Sequence, residues 1–552
     1  MLRRIFYPYL LLSVLIGLLV TQTACEMNVP VARPASPPVN PSEEVNAADF
    51  AFVDPNYIYD QLFYMATHFL RRESGFDTNL PPGTNGHDEF AAYWTKEMLS
   101  NLQDFGAQAR NDPFPAGWAH RPGVVPAFNV EVTIPGATSP EQVVVIGCHY
   151  DAMSNSTQSA YDDTSGCAIE LGVAKAMATF WRSHHIYPAR TLRFVLFDAE
   201  EQNLLGSFHY VNNTIDGDLS NIVAMFNEEQ NGVGYPVRYL GQLDNPLLPL
   251  YINVTPSHSN DLYSNIDTLP AAQRAKISHF HDLIGQAIPA VFQKFLELKY
   301  LGLTYHDDQG HDVSRPIFTP DQLSKIQEVD DTDGGSDEVA FSEAGIPSAT
   351  MVSDASYYDD NPSPSAFPND QPQDTIQLLN TFAMGGTRQS YALTLALALP
   401  AMITTWMLNQ PDILGQVPLD KLPAGPLTAI SDIGYPQVGT MQQLDALASF
   451  DPGSSQNQLS YRWDFGDGQQ ATGKVVTHTY MQKGQYTIKL TVSSPRGTRQ
   501  VKKLVDIVEQ PTTYPNQYSH LPRDTNSLNS AVNLPTPNNS LQDNIIRTPV
   551  KG

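Results

Sequence analysis

VVVIGCHYDA (Val143–Ala152) and FVLFDAEE (Phe194–Glu201) decide the fold of this chain. Each begins with a continuous apolar run, which is typical of a strand buried on both faces of a sheet. Between them, apolar residues recur every three to four positions from Ile169 to Phe180, which predicts a helix that starts just after the breaker Ser165-Gly166. Strand, helix and strand in this order form a parallel βαβ unit with a right-handed crossover.

The alternation of strand and helix patterns continues on both sides of this unit, over residues 49–415. The fold class is therefore α/β, and we expect a mixed, mostly parallel sheet flanked by helices. Further strands are predicted at Ile222–Phe226, Val237–Leu240 and Ser348–Val352, and further helices at Glu89–Phe105 and at Leu393–Leu408, the last kinked at Pro400.

Composition excludes several classes of protein. The chain has 552 residues with 32 Lys+Arg and 58 Asp+Glu, and the resulting net charge of −26 excludes a nucleic-acid binder held by bulk charge. Hydrophobic residues make up 41% of the chain, so most of it can bury a core of ordinary size. Three cysteines are too few for a disulfide scaffold, and no apolar run after the first 20 residues is long enough to span a bilayer.

Residues 1–25 are predicted to be a signal peptide, because a short basic start precedes the apolar stretch Leu10–Val20. Small residues precede Cys25 as they do at a bacterial lipoprotein cleavage site, although Gln22 stands where such sites usually carry Leu. Membrane anchoring through a lipidated Cys25 and an ordinary signal cut nearby both stay open. The protein is therefore predicted to be exported, either as a lipoprotein of the cell envelope or in secreted form.

Two further segments are predicted not to fold. Residues 26–48 are rich in Pro and poor in aromatics, so we expect them to form an extended linker. Residues 510–552 are polar and rich in Asn, Pro and Ser, which predicts a disordered tail.

Acidic residues follow each strand end of the predicted sheet. In open α/β sheets ligands bind beyond the carboxyl ends of the strands, so these are the positions that bear on function. One acidic pair is usually a solvated loop, but four acidic ends in succession, with a histidine, predict a bound cation, because crowded carboxylates repel one another. The residues concerned are His149, Asp151, Asp162, Asp163, Asp198, Glu200, Glu201, Glu228 and Glu229.

Three segments resemble the signature segments of a known family. GCHYDA (Gly147–Ala152), YDDTSG (Tyr161–Gly166) and DAEEQNLLGS (Asp198–Ser207) are similar, in order and spacing, to those of the bacterial di-zinc aminopeptidases, metallopeptidase family twenty-eight of clan MH. The resemblance extends over roughly residues 50–410. It implies a fold of the zinc exopeptidase type, two zinc ions and a peptide or protein substrate.

The same resemblance implies a role for each residue of these segments. His149 would bind one zinc, Asp162 would bridge two zinc ions, and Glu201 would bind the second. Glu200 would be the general base that takes a proton from the metal-activated water. Asp151 would hold the His149 imidazole by its other nitrogen and so fix the tautomer.

Some positions depart from the pattern of this family. Glu229 stands where the family has an aspartate ligand, and it keeps the carboxylate. Asp370, four residues before Asp374-Thr375, takes the place of the last histidine ligand, and Glu338 takes the place of a common non-ligand histidine. One imidazole and four carboxylates form an oxygen-rich ligand set, which suits Mn²⁺ or Mg²⁺ as well as Zn²⁺.

Other donors near these segments stay open. His306 and His311 could reach the site from an insert-like stretch, although a polar surface loop is the simpler interpretation. Cys148 and Cys167 flank the predicted site and either form a disulfide or stay free and buried, because geometry and not sequence decides between the two.

A second domain is predicted at residues 424–509, after a Pro-rich join at 411–426. Short segments of alternating polarity predict a small all-β sandwich of the Ig-like kind. Its WDFGDG and HTY segments resemble a PKD (polycystic kidney disease) domain, which implies a spacer or a surface that binds a polymer or another protein. Trp463, Tyr480 and Tyr486 are predicted to belong to its core and not to a ligand platform.

Two functions fit this sequence. The first is an exported metal-dependent exopeptidase, and an aminopeptidase is favoured because no motif supplies a basic clamp for a substrate carboxylate. The second is a catalytically degenerate surface protein that keeps the peptidase fold for adhesion or peptide binding, after losing metal catalysis through Asp370 and Glu338. The presence of Glu200 and of the first three ligands favours the enzyme.

Overall fold

The structure, a computed structural model, describes residues 52–74, 86–114, 127–214, 219–232, 250–297, 326–332, 334–353, 367–382, 390–430, 437–452 and 458–508, together with four short strands between them. The predicted signal peptide, linker and tail lie outside these residues. The helices are α1 (Pro55–His68), α2 (His87–Leu102), α3 (Thr164–His184), α4 (Leu205–His209), α5 (Ala271–Glu297), α6 (Glu338–Glu343), α7 (Ile376–Phe382) and α8 (Ser390–Leu408). The strands are β1 (Gln108–Phe114), β2 (Ala127–Ile134), β3 (Ser139–His149), β4 (Ile186–Pro188), β5 (Arg190–Phe197), β6 (Ile222–Glu228), β7 (Arg238–Tyr239), β8 (Gln242–Leu243), β9 (Tyr251–Val254), β10 (Thr304–His306), β11 (Asp312–Ser314), β12 (Gln327–Asp330), β13 (Ser348–Val352), β14 (Gln416–Pro418), β15 (Met441–Asp445), β16 (Ser460–Asp464), β17 (Gln470–Thr472), β18 (Val475–Thr479), β19 (Gly484–Ser494) and β20 (Gly497–Ile507).

An eight-stranded sheet with the order β1-β2-β5-β3-β6-β13-β9-β12 forms the centre of the N-terminal body. Its four middle strands, β5, β3, β6 and β13, are parallel to one another, and antiparallel pairings flank them on both sides. The expected mixed, mostly parallel sheet is therefore confirmed. Because β5, β3 and β6 are parallel neighbours, their carboxyl ends meet at one edge of the sheet.

Helices cover both faces of this sheet. The larger core on one face includes α1, α2, α3, α5 and α8, and the smaller core on the other face includes residues of α4 and α6. The apolar positions of α3 that the sequence singled out, Ile169 and Phe180 among them, are buried. In the part of the chain that the structure describes, no helix is long and apolar enough to cross a membrane.

Helix α3 begins earlier than the sequence predicts. It starts at Thr164, not after Ser165-Gly166, because the side chain of Asp163 accepts a hydrogen bond from Gly166 N at 2.9 Å and caps the helix. Gly166 is required for close approach and not as a breaker. A Cβ atom at this position would lie 1.9 Å from the carbonyl oxygen of Glu228.

The other predicted elements lie close to their expected places. Strand β13 has the expected bounds, and β6 and α2 differ from theirs by two or three residues at their ends. Helix α8 continues through Pro400. Of the strand predicted at Val237–Leu240, the structure describes only β7.

The C-terminal body consists of two antiparallel sheets, β15-β18 and β17-β16-β19-β20. The predicted all-β domain is confirmed. Trp463 and Tyr480 are buried in its core, and Tyr486 is half-buried with its ring 4.5 Å from that of Tyr480. These three side chains therefore serve packing, as the sequence predicts.

The Pro-rich join is an integral part of the N-terminal body and not a free linker. Strand β14 pairs with β4, and Leu414 is fully buried in the same core as α1 and α3. Phe450 packs against Gly106, and Arg499 donates a hydrogen bond to the carbonyl oxygen of Ala137 at 2.6 Å. Because Ala137 precedes β3, the C-terminal body docks at the amino end of this strand, opposite the end that carries His149.

Candidate metal centre

His149 is the last residue of β3 and is fully buried at the carboxyl edge of the sheet. The two neighbouring parallel strands bring their own following residues to this edge. Glu200 and Glu201 follow β5, and Glu229 follows β6. The topology therefore explains why residues far apart in sequence meet around one imidazole.

Carboxylates surround Nε2 of His149. This nitrogen lies 2.9 Å from Asp162 Oδ1, 3.5 Å from Glu229 Oε1 and 4.0 Å from Glu200 Oε2. Potential ligand atoms of His149, Asp162 and Glu201 all lie within 4.8 Å of one another, as do those of His149, Asp163 and Glu229. The structure thus brings together the predicted residues from all three signature segments, and Asp163 joins them.

Asp151 lies between the imidazole and the segment of Glu200. Its Oδ1 is 3.5 Å from Nδ1 of His149 and accepts a hydrogen bond from the backbone N–H of Glu200 at 3.0 Å. One buried carboxylate therefore fixes the backbone that carries Glu200 and lies beside the imidazole of His149, without a hydrogen bond to its Nδ1.

The loop that carries Asp162 is held by hydrogen bonds from both sides. Asp374 accepts backbone hydrogen bonds from Tyr161 at 2.9 Å and from Asp162 at 3.2 Å. Oδ2 of Asp162 accepts hydrogen bonds from the amides of Gln230 and Asn369, each at 3.2 Å. Oδ1 of Asp162 is thereby directed to His149.

Glu229 is fixed by a hydroxyl group. Ser336 Oγ donates a hydrogen bond to Glu229 Oε2 at 2.7 Å, and Asn227 Nδ2 donates to Ser336 Oγ at 2.8 Å. Asn227 also donates to Glu338 Oε2 at 3.3 Å, which ties Glu338 to the far side of this network. Oε1 of Glu229 remains directed toward His149.

Asp370 lies in the loop before α7, with a φ of 59° that places it in the left-handed region. Its side chain lies within hydrogen-bonding reach of Glu201, and it interacts electrostatically with Asp162. In the part of the chain that the structure describes, however, no group of three potential ligand atoms within 4.8 Å of one another includes Asp370.

The centre is strongly acidic and buried. Burial raises the pKa of Asp370 to about 7, although Glu201 and His149 act in the opposite direction. For His149, burial lowers the pKa, but Glu229 and Glu200 outweigh this effect and raise it well above its usual value. Burial likewise raises the pKa of Asp151, Asp163, Glu200, Glu201 and Glu229.

Such a cluster fits divalent cations. Buried carboxylates are costly to ionise unless a positive charge compensates them. Oxygen atoms of Asp151, Asp163 and Asp370 are buried without a hydrogen-bond partner among the described residues. Oxygen and imidazole donors that converge at these distances are the ligands that Zn²⁺ and harder divalent ions use.

Some residues that support the candidate site are not indicated by any motif in the sequence. Arg72 is 1% exposed and donates to the carbonyl oxygens of Tyr150 and Gln158 at 2.7 and 2.9 Å, which fixes the backbone below the site. His87 binds Asp198, two residues before Glu200, at 2.9 Å. Asp337 could have been suspected from its place before Glu338; it is fully buried, and burial raises its pKa to about 7.

The structure decides whether the two cysteines near the site are paired, but it does not decide whether His306 or His311 reaches the site. Cys148 and Cys167 form a disulfide with a Cα–Cα distance of 5.3 Å, one end directly before His149 and the other in α3. His311 lies outside the described residues, and the side chain of His306 does as well.

Comparison with known proteins identifies two segments. Residues 129–287 match Peptidase family M28, and residues 429–508 match the PKD domain. The resemblances predicted from the sequence are therefore confirmed over these two segments, which include His149, Glu200 and Glu229 in the first and Trp463 in the second.

Individual relatives match over shorter stretches. A glutamate carboxypeptidase 2 homolog of Caenorhabditis briggsae is 38% identical over 93 residues, 16% of this chain and 11% of the relative. A probable zinc metalloprotease of Pyrenophora teres f. teres is 31% identical over 110 residues, 19% of this chain and 22% of the relative. The chain thus spans less than a quarter of the length of these curated relatives.

Among solved structures, the LapA aminopeptidase of Legionella pneumophila is similar at a TM-score of 0.41 and 17% identity, over 69% of this chain and 77% of that one.

Proposed function

We propose that this protein is a metal-dependent peptidase of the aminopeptidase type, which hydrolyses the peptide bond next to a free N-terminus. The observation that carries the proposal is the approach of three carboxylates to Nε2 of His149, with Asp162 at 2.9 Å, Glu229 at 3.5 Å and Glu200 at 4.0 Å. The match of residues 129–287 to Peptidase family M28 supports it.

The ligands of two divalent ions would be the five predicted residues, namely His149, Asp162, Glu201, Glu229 and Asp370. Bound there, the ions would lower the pKa of a water molecule and polarise the scissile carbonyl group. Zinc is supported by the relatives that are named for it, and Mn²⁺ or Mg²⁺ is compatible with the carboxylate-rich set.

Glu200 would act as the general base. Its carboxylate faces His149 Nε2 and its side chain is 12% exposed, so it can meet a water molecule that enters the site. Burial raises its pKa well above the usual value, which makes it a better proton acceptor than an exposed glutamate once it is ionised. It would take the proton of the attacking water and pass it to the leaving amine.

Asp151 would position both partners of this step. Since it contacts the imidazole and accepts the backbone N–H of Glu200, a shift of one would move the other. This arrangement keeps Glu200 beside the ligands without making Asp151 itself a ligand.

Charge favours a free N-terminus over a C-terminus as the recognised group. The acids of the centre attract an ammonium group, whereas a substrate carboxylate needs a free cation. Arg72 interacts electrostatically with Asp151, Asp162 and Asp163, but its donors are taken by backbone carbonyl oxygens and it is 1% exposed. It therefore cannot serve as a carboxylate clamp.

One observation favours the second candidate, a peptide-binding or adhesion protein without catalysis. Oδ2 of Asp162, one of the two oxygen atoms that a bridging carboxylate would offer, is already hydrogen-bonded by Gln230 and Asn369. Both bonds are 3.2 Å long, at the weak end of the range, so an ion can displace them. A metal-dependent peptidase is therefore favoured over a peptide-binding or adhesion protein.

The test compares Glu200→Gln with the exposed control Glu89→Gln on aminoacyl, N-acetylated and C-terminal reporter peptides. We expect wild type and Glu89→Gln to hydrolyse the aminoacyl reporter, and Glu200→Gln to lose a factor of about 10²–10⁴. Metal content is measured on the same samples. Undiminished hydrolysis by Glu200→Gln would refute the role of this residue, and a wild type that binds metal but hydrolyses nothing would favour the second candidate.

The remaining parts of the chain complete the proposal. Residues 1–25 would export the protein, and lipidation of Cys25 would anchor it to the cell envelope, with residues 26–48 as the linker. The PKD domain would act as a spacer or bind a polymer or another protein through its surface. The proposed domains remain 49–415 for the peptidase and 424–509 for the PKD domain.

A further inference from the structure

The Cys148–Cys167 disulfide lies directly beside the candidate metal centre, and both cysteines are fully buried. Sγ of Cys148 lies 3.2 Å from Glu170 Oε2, and Sγ of Cys167 lies 3.2 Å from the carbonyl oxygen of His149. Oxygen atoms that accept hydrogen bonds suit an S–H group or a bound cation at each sulfur atom, and a disulfide supplies neither. The surroundings of the two sulfur atoms therefore fit the reduced cysteines as well as the disulfide.

A carboxylate lies next to this pair. Potential ligand atoms of Cys148, Cys167 and Asp163 all lie within 4.8 Å of one another, and the three residues are buried. Oδ1 of Asp163 accepts hydrogen bonds from the backbone N–H of Gly166 at 2.9 Å and of Gln230 at 3.2 Å. Oδ2 of Asp163 is buried without a hydrogen-bond partner among the described residues. This oxygen atom is therefore the one that Asp163 can offer to an ion.

The disulfide prevents these three residues from binding an ion, because the thiolate is the form of cysteine that acts as a metal ligand. Reduction breaks the S–S bond, and each sulfur atom gains one electron and one proton. A phosphine and one water molecule supply them, and the phosphine is oxidised to the phosphine oxide; a cellular dithiol does the same and closes to its own disulfide. A divalent ion then replaces the two thiol protons, which pass to the buffer.

Ligand chemistry indicates which ions fit. Two thiolates and one carboxylate form a soft set of donors, which favours Zn²⁺ and other thiophilic ions over Mg²⁺ and Ca²⁺. Tetrahedral Zn²⁺ holds its ligand atoms roughly 3.3–3.8 Å apart, which is inside the 4.8 Å that already encloses these three atoms. The group therefore has both the donors and the spacing of a zinc-type site.

We propose that Cys148, Cys167 and Asp163 form a redox-controlled thiol site, which binds a thiophilic divalent ion when the cysteines are reduced and is closed by their disulfide. This inference goes beyond the proposed peptidase function and does not depend on it. Asp163 also belongs to the group of His149 and Glu229. The disulfide leaves the free oxygen of Asp163 to that group, whereas an ion on the thiolates would draw on the same oxygen.

The experiment uses Cd²⁺ as the probe, because charge transfer from thiolate to cadmium gives an ultraviolet band that oxygen and imidazole ligands do not give. The full chain carries Cys25→Ala, which removes the third thiol. It is unfolded with a phosphine, freed of the phosphine, and refolded either without oxygen or with oxidised glutathione. Free thiols are counted, and both samples are titrated with Cd²⁺. We expect a band equivalent to two thiolates per chain in the reduced sample and no band in the oxidised one.

A matched pair of substitutions tests the carboxylate. Asp163→Asn keeps an oxygen atom that can cap α3 but removes the charge, so it should weaken the binding of Cd²⁺ to the reduced chain by at least about tenfold. Asp54→Asn makes the same change at the residue that caps α1 and should leave Cd²⁺ binding unchanged.

The outcomes separate the thiol site from its alternatives. A reduced chain with two free thiols and no charge-transfer band overturns the site, and a band in the oxidised chain overturns the closing role of the disulfide. Equal Cd²⁺ affinity with and without Asp163→Asn overturns the role of Asp163. Circular dichroism follows folding, and a reduced chain that does not regain the fold, with or without Cd²⁺, also overturns the proposal. The reduced and oxidised samples need no substitution at the site, so they decide the question even where Asp163→Asn does not fold. Hydrolysis is not measured, so failure of the proposed peptidase function leaves this test unaffected.

Discussion

His87 forms a buried contact with a carboxylate that makes the stability of the protein depend on pH. Its Nε2 lies 2.9 Å from Asp198 Oδ1 in a fully buried contact, and its Nδ1 lies 2.9 Å from Asp88 Oδ1. Burial lowers the pKa of His87, but the charge of Asp198 and the hydrogen bonds to Asp198 and Asp88 outweigh it and raise the pKa to about 10. Asp88 is 54% exposed, so solvent screens it and Asp198 dominates.

The sign and size of this contribution to stability follow from the pKa of His87 in the folded protein and in the unfolded chain. A raised folded pKa means that the stabilisation is complete below the unfolded value and is lost as pH rises through about 10. With an unfolded pKa of about 6.5, the protonated imidazole contributes about 4 kcal/mol at pH 7 and about 1.4 kcal/mol at pH 9. The first value agrees with the loss of about 3–5 kcal/mol expected when one partner of a buried ion pair is removed.

The substitution that tests this contribution is His87→Gln, because the glutamine side chain is uncharged at every pH. Urea unfolding of both proteins at fixed metal concentration gives the difference in free energy of unfolding between pH 6 and pH 9. We expect this difference to be largest at pH 6–7 and to shrink by about 2–3 kcal/mol at pH 9. His258→Gln, at a histidine whose side chain is 82% exposed, is the matched control for the change of side chain. An equal loss at pH 7 and pH 9 would refute a protonated His87.

Three further predictions concern packing and the ligands. Gly166→Ala should lower the free energy of unfolding by several kcal/mol or prevent folding, because the new Cβ atom would lie 1.9 Å from Glu228 O. Gly285→Ala in α5 would place its Cβ atom near Glu328 Oε2 alone, at 3.8 Å, and should stabilise the protein by up to about 1 kcal/mol. Thermal unfolding of the two variants distinguishes these effects. Ser336→Ala removes the hydroxyl group that holds Glu229 Oε2 and should weaken metal binding about 10–100-fold in calorimetric titration, while the exposed Ser257→Ala should not. Leu414→Ala should lower the free energy of unfolding by about 2–5 kcal/mol, and a loss below about 1 kcal/mol would mean that the join is not part of the core.

The sequence predicts that some residues of the candidate metal centre lie close together, because the topology of a parallel sheet is simple. His149 directly follows an apolar run, Glu200 and Glu229 come shortly after the ends of two others, and parallel neighbours bring such residues to one edge. The helix between the first two strands is equally plain from its spacing. The sequence does not place the start of this helix correctly, because Gly166 can be interpreted as a residue that breaks the helix and Asp163 as the residue that caps it. The close contact of Gly166 with Glu228 O, which depends on the fold, explains the glycine without a break.

The residues that the sequence does not reveal are those whose roles depend on long-range packing. Arg72 lies between α1 and α2, and His87 is the first residue of α2, so both are far from every signature segment in sequence. Arg72 nevertheless holds the backbone of Tyr150, and His87 holds the carboxylate of Asp198. No periodic pattern distinguishes a buried arginine that binds carbonyl oxygens from an exposed one. The pairing of β14 with β4 is hidden for the same reason, because a Pro-rich segment is read locally as a linker.

Two of the departures from the family pattern are best understood as one change. Glu229 is a methylene longer than the expected aspartate, and Glu338 replaces a histidine, but Asn227 connects them through Ser336. Ser336 donates to Oε2 of Glu229, and Oε1 faces His149, so the structure accounts for both oxygen atoms of the longer side chain. A reversion of Glu229 to aspartate alone would withdraw the carboxylate from Ser336. The two glutamates therefore belong to one hydrogen-bonded network, and this network directs a carboxylate oxygen of Glu229 to His149.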